Sequence, residues 1–83
     1  MKRINDRADE AVTVQLDHEM RLIREAIDFV AAGGSSRVVV AGVQFGDVLL
    51  ELAQRLGRAA GVRVVPLWRT DEAGADIAVE RGE

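Results

Sequence analysis

Residues 11–16 read Ala11-Val12-Thr13-Val14-Gln15-Leu16, and the expected fold turns on them. Val12, Val14 and Leu16 alternate with Thr13 and Gln15, which is the period of a strand with one buried face. Asp17 follows where a helix N-cap belongs, because its carboxylate can accept from the free N–H groups of a first turn. Residues 18–32 then carry Met20, Ile23, Ile27 and Val30 at helical spacing. Leu22, Ala26 and Ala31 widen that stripe, and Arg21, Arg24, Glu25 and Asp28 lie opposite. Gly33 and Gly34 supply the stop.

The pattern continues outward from this β-α opening. Arg37 to Ala41 is a β-branched run suited to a central strand. Gly42 to Gly46 turns the chain, and Asp47 to Ala60 is a second amphipathic helix with Leu49, Leu52, Ala53, Leu56 and Ala60 on its stripe. Glu51 and Arg55 make an i,i+4 pair on its outer face. Gly57 costs a helix about 1 kcal/mol relative to Ala, which points to close packing there. Val62 to Trp68 is a third strand, and Pro66 inside it marks a sheet edge. After a polar turn, Asp76 to Arg81 alternates again with Ile77 and Val79 inward.

The expected order is β-α-β-α-β-β. Right-handed crossovers place both helices on one face. The fold class is therefore α/β, a two-layer sandwich with a mixed four-stranded sheet whose last two strands form a hairpin. Residues 1–10 are expected as a flexible charged tail, and residues 11–83 as a single α/β domain.

Composition bounds the function. The chain has 83 residues and 48% hydrophobic residues, enough for one domain with a modest core. Phe29, Phe45 and Trp68 are its only aromatic residues, so the core is aliphatic. It has no cysteine, which removes disulfides, thiolate nucleophiles and cysteine zinc sites. No apolar run reaches the roughly 20 residues of a membrane span, and the charged start lacks a signal peptide's apolar region. A cytoplasmic, non-membrane protein is expected. The net charge of −3 disfavours nucleic acid as a partner.

The sheet face without helices is where a function is sought. Thr13, Gln15, Ala78 and Glu80 belong to it, with Arg37, Val39 and Ala41. The third strand offers either Arg63, Val65 and Leu67 or Val62, Val64, Pro66 and Trp68. Either choice exposes apolar side chains, and a contiguous apolar patch on a small protein marks an interface. The candidate interface residues are Val39, Val65, Leu67 and Trp68, the last because Trp is enriched at interface hot spots.

Other constellations point to solvated or structural roles. The turn Ala41 to Asp47 sits where helix N-termini bind phosphate, but it lacks a glycine fingerprint and carries Asp47 where the anion belongs. Asp47 fits the helix dipole instead. His18 is the only histidine and lies beside Asp17 and Glu19, as a solvated first-turn residue. Asp71, Glu72 and Asp76 form an acidic turn without EF-hand spacing. Ser35 and Ser36 have no second histidine to serve a triad. No catalytic residue, metal site or cofactor is assigned.

The element order over residues 11–81 resembles the C-terminal domain of translation initiation factor 3, the Alba chromatin proteins and the TusA-type sulfur carriers. TusA-type proteins open their first helix with Cys-Pro-x-Pro, where this chain has Asp17-His18-Glu19-Met20. Alba-type proteins present basic residues there. Val14 to Trp68, with Leu16-Asp17, Arg37-Val38-Val39-Val40, Gly42-Val43-Gln44-Phe45 and Gly61-Val62-Arg63-Val64, is also similar to a STAS regulatory domain. Those domains carry a phosphorylatable Ser or Thr beside an Asp, where Asp47 is followed here by Val48.

The expectation is a non-enzymatic protein-interaction or self-association module, a homodimer or the partner of another protein. One alternative, implied by the first resemblance, is a nucleic-acid binder using Arg21, Arg24, Arg37, Arg55, Arg58, Arg63 and Arg69. Another is an accessory subunit of an enzyme whose partner supplies the catalytic group.

Overall fold

The stretch 11–16 is helical, not extended. The structure is a computed structural model describing residues 2–68 and 74–82, with side chains from Glu10 onward. Its first element, α1, runs Lys2–Ala31 without interruption. No glycine or proline occurs before Gly33, so nothing breaks the ladder, and each added residue gains a hydrogen bond once the helix exists. Val12, Leu16, Glu19 and Ile23 share one stripe at helical spacing. Val14, the residue that completes the alternation, points away and is 66% exposed. Residues 2–10, expected as a tail, are the first turns of this helix. Asp17 is not an N-cap but an exposed mid-helix residue.

A helix of 30 residues is about 45 Å long, and the molecule's longest extent is 52 Å. Residues 10–14 are exposed and the buried stripe starts near Leu16, so this stretch of α1 stands clear of the sheet.

The remaining elements are β1 (Arg37–Val43), α2 (Gly46–Ala60), β2 (Val62–Trp68) and β3 (Ala75–Arg81). The sheet order is β1-β3-β2, and both pairings are antiparallel. Among the described residues the sheet therefore has three strands and is antiparallel, where four strands and a mixed sheet were expected. The missing strand is the segment that α1 absorbed. The loss leaves β1 at an edge, and β3, with Ala75, Ile77, Ala78 and Val79 all buried, takes the centre. The β2–β3 hairpin and the edge position of the Pro66 strand are as the sequence reads.

Both helices cover the same sheet face. Ile23, Ala26, Ile27 and Val30 of α1 and Leu49 and Ala53 of α2 join Val43, Val62, Val64, Ala75, Ile77 and Val79 in one core. Val43 reaches it through a β-bulge. Val40 pairs with Ile77 and Val43 with Ala75, so β1 holds one extra residue between them. Gly42 takes a φ of 70° there, and its N–H donates to Asp76 Oδ1 at 2.9 Å. Without that residue Val43 would turn to the other face.

At Gly57 α2 approaches the sheet closely. A Cβ at this position would lie 2.7 Å from Val64 Cγ2 and 3.2 Å from the Val62 carbonyl oxygen. Val64 is buried and β-branched, so it cannot swing aside. Gly57→Ala gains about 1 kcal/mol of helix propensity but overpacks a contact, which costs about 1–3 kcal/mol. The expected net result is a lower chemical-denaturation midpoint, whereas Gly→Ala on an open helix face would raise it.

Candidate functional site

The open face of the sheet is built from cross-strand rows. Register places Val39, Ala78 and Val65 side by side across β1, β3 and β2. On the same face Arg37, Glu80 and Arg63 form the next row, and Leu67 pairs with Asp76 on the far side. Glu80 Oε2 lies 3.5 Å from Arg37 Nε and its Oε1 lies 3.3 Å from Arg63 Nη2. One carboxylate thus bridges both edge strands. The two arginines are largely exposed and Glu80 is half-buried, so the ladder fixes side-chain positions more than it adds stability.

Ala78 is only 1% exposed, although no helix covers this face. Its cross-strand neighbours Val39 and Val65 flank it, and the side chains around it close over its methyl group. Val39 and Leu67 stand exposed beside it, and Val65 is half-buried. Three of the candidate interface residues, Val39, Val65 and Leu67, therefore share one surface. Trp68 does not join them. It has the same parity as Val62 and Val64, pairs with Ala75 at the strand end, and is 52% exposed. The two readings of this strand resolve in favour of Arg63, Val65 and Leu67 on the open face. Thr13 and Gln15 belong to α1 and not to this surface.

The β1–α2 turn, the place for an anion at a helix N-terminus, is filled from within the chain. Glu19 is 2% exposed. Its Oε2 accepts from the Gln44 N–H at 2.7 Å and from Gln15 Nε2 at 2.8 Å, and its Oε1 accepts from the Phe45 N–H at 2.8 Å. The N-cap residue of α2, Phe45, supplies no side-chain cap. A carboxylate from a distant helix therefore does what a phosphate or a capping residue does elsewhere. Asp47 lies in the first turn and its Oδ1 accepts from the Val48 N–H. The role of Glu19 went unread in the sequence. Its signal is an acidic residue on the apolar stripe of a helix, which requires a buried partner.

The other singled-out groups are dispersed. His18 is exposed, away from Glu19. The Ser35 hydroxyl donates to the Arg37 carbonyl at 2.9 Å, within its own turn. Asp71, Glu72 and Arg69 lie outside the described residues. Arg21 and Arg24 line a surface groove with Asp17, Glu25 and Asp28, and Arg55 pairs with Glu51 at 3.0 Å. Among the described residues no cluster of three or more His, Cys, Asp or Glu could hold a metal ion. No described helix is long and apolar enough to cross a membrane. Comparison with protein-family models, with curated proteins and with solved structures finds no match for this chain.

Glu19→Ala should destabilise the protein by about 3 kcal/mol, since it strands two N–H groups and removes charge-assisted hydrogen bonds. Glu19→Gln, which keeps the shape and one acceptor, should lose about half as much. Denaturant titration of the two variants measures both, and equal losses would show that retaining the shape and one acceptor contributes nothing.

Proposed function

We propose that the chain is a non-catalytic protein-interaction module that self-associates through the open face of its sheet. The observation behind this reading is the apolar row Val39–Ala78–Val65, with Leu67 beside it, on a face that neither helix covers. The face is also self-complementary. A two-fold axis near Ala78 lays the row Val39–Val65 of one copy against the same row of the other, as the inner faces of packed sheets meet. The same axis sets the row Arg37–Glu80–Arg63, with one excess positive charge, over the end that carries Asp76.

The size of the face sets the strength. Three strands of seven residues span about 14 by 23 Å from standard spacings. That is about 320 Å² per copy, below the roughly 800 Å² that a standard specific interface buries on each side, so a weak, transient dimer is expected.

Light scattering from micromolar to millimolar protein tests this. The expected outcome is a mass that rises with concentration toward twice the chain, and Val65→Glu or Val39→Glu, each burying an unpaired charge, should hold it at the monomer. A monomer throughout the range, or a dimer that survives both folded variants, would refute the reading.

A further inference from the structure

The sheet has two edges, and they differ. β1 is broken by its bulge at Gly42, which spoils it as a template for another strand. The first half of β2 carries no such device, and its hydrogen-bonding direction follows from one contact. The Arg81 N–H donates to the Ser36 carbonyl at 2.9 Å, toward β1. Backbone groups alternate along an antiparallel strand, so Asp76, Ala78 and Glu80 turn theirs toward β2. Their partners there are Leu67, Val65 and Arg63. Val62 and Val64 therefore direct their N–H groups to the free edge together with the Val64 carbonyl, while the Val62 carbonyl lies against α2 at Gly57. Pro66 is next in that set, and its lack of an N–H ends the donor row.

This edge borders a groove of about 340 Å³, lined by Gln54 and Arg58 of α2 and by Val62, Arg63 and Val64. Arg58 is exposed and makes no ion pair among the described residues. The groove thus joins free backbone donors and acceptors to a cationic wall. It disfavours a second copy of itself, because a two-fold pairing centred here sets Arg63 against Arg63, and like charges directly opposite destabilise a sheet.

We infer that the free edge of β2 at Val62–Val64 docks an extended peptide segment of a partner protein, added as a further strand, with a carboxylate of that segment held by Arg58. Main-chain hydrogen bonds supply the affinity, and the arginine supplies the choice of an acidic over a basic sequence. The site is separate from the open-face dimer proposed above and does not depend on it.

The probe is the peptide acetyl-Thr-Val-Glu-Val-Thr-amide, compared with its counterpart carrying Lys in place of Glu, by heteronuclear NMR on the full chain. The Glu peptide should shift the Val62 and Val64 amides and slow their hydrogen exchange, while the Lys peptide binds at least about tenfold more weakly. Arg58→Glu, at an exposed position, should reverse that preference with the thermal midpoint little changed. Val39→Glu, which disrupts the open face from the opposite edge, should leave peptide binding in place. Absence of shifts at millimolar Glu peptide, equal binding of the two peptides, an unchanged preference in Arg58→Glu, or loss of binding in Val39→Glu would each overturn the inference.

Discussion

The carboxylate of Glu19 lies against the N–H groups of Gln44 and Phe45, and this contact joins the two halves of the fold. It sits between α1 and the turn from β1 to α2, at a position where burial makes any unmet hydrogen-bonding capacity costly. The three donors it receives satisfy it, and no described buried side-chain polar atom lacks a partner. The same contact places negative charge at the start of α2, where the helix dipole favours it and where Phe45 offers no side chain to do so. One side chain thereby sets where α1 crosses the sheet and where α2 begins.

The rest of the architecture follows from that crossing. With α1 and α2 on one face, the core residues of all three strands are covered, and among the described residues the opposite face has no layer of its own. The long α1 also removes the segment that could have formed a fourth strand, so the sheet has two edges close to its centre. β1 is spoiled by the Gly42 bulge, while β2 has only Pro66 to interrupt it. A small sheet with a free face and an uneven pair of edges is the physical setting for association.

Much of this was legible in the sequence, and the misreading has a definite cause. The second helix, the hairpin, the edge strand and the close packing at Gly57 rest on strong local signals: a long apolar stripe, a glycine within it, and a proline in a β-branched run. Residues 11–16 satisfy two periods at once. Val12 and Leu16 fit a strand as alternate residues and fit a helix at i and i+4, and only Val14 separates the two. Its exposure decides for the helix, but exposure is a tertiary property. The run from Met1 to Ala32 without glycine or proline was the sequence signal that favoured one long helix. Val39 was readable from alternation. Val65, Leu67 and Trp68 were not, because parity along β2 could be fixed only by knowing which of its valines face the helices.

The two proposed surfaces meet at Arg63, so each tunes the other without being required for it. Its guanidinium pairs with Glu80 on the open face while the same side chain lines the groove at the β2 edge. An acidic strand arriving at that edge competes with Glu80 for Arg63, and Glu80 retains Arg37 when it loses. The added strand also widens the sheet, so its own outward side chains extend the row that begins at Val39. Occupancy of the edge therefore changes both the charge and the area that a second copy meets. By linkage, dimerisation must alter the affinity of the edge for its peptide by the same factor. Whether the factor exceeds one is set by the peptide: apolar residues facing the open side enlarge the contact and couple the two events positively, while a second carboxylate there repels Glu80 and couples them negatively.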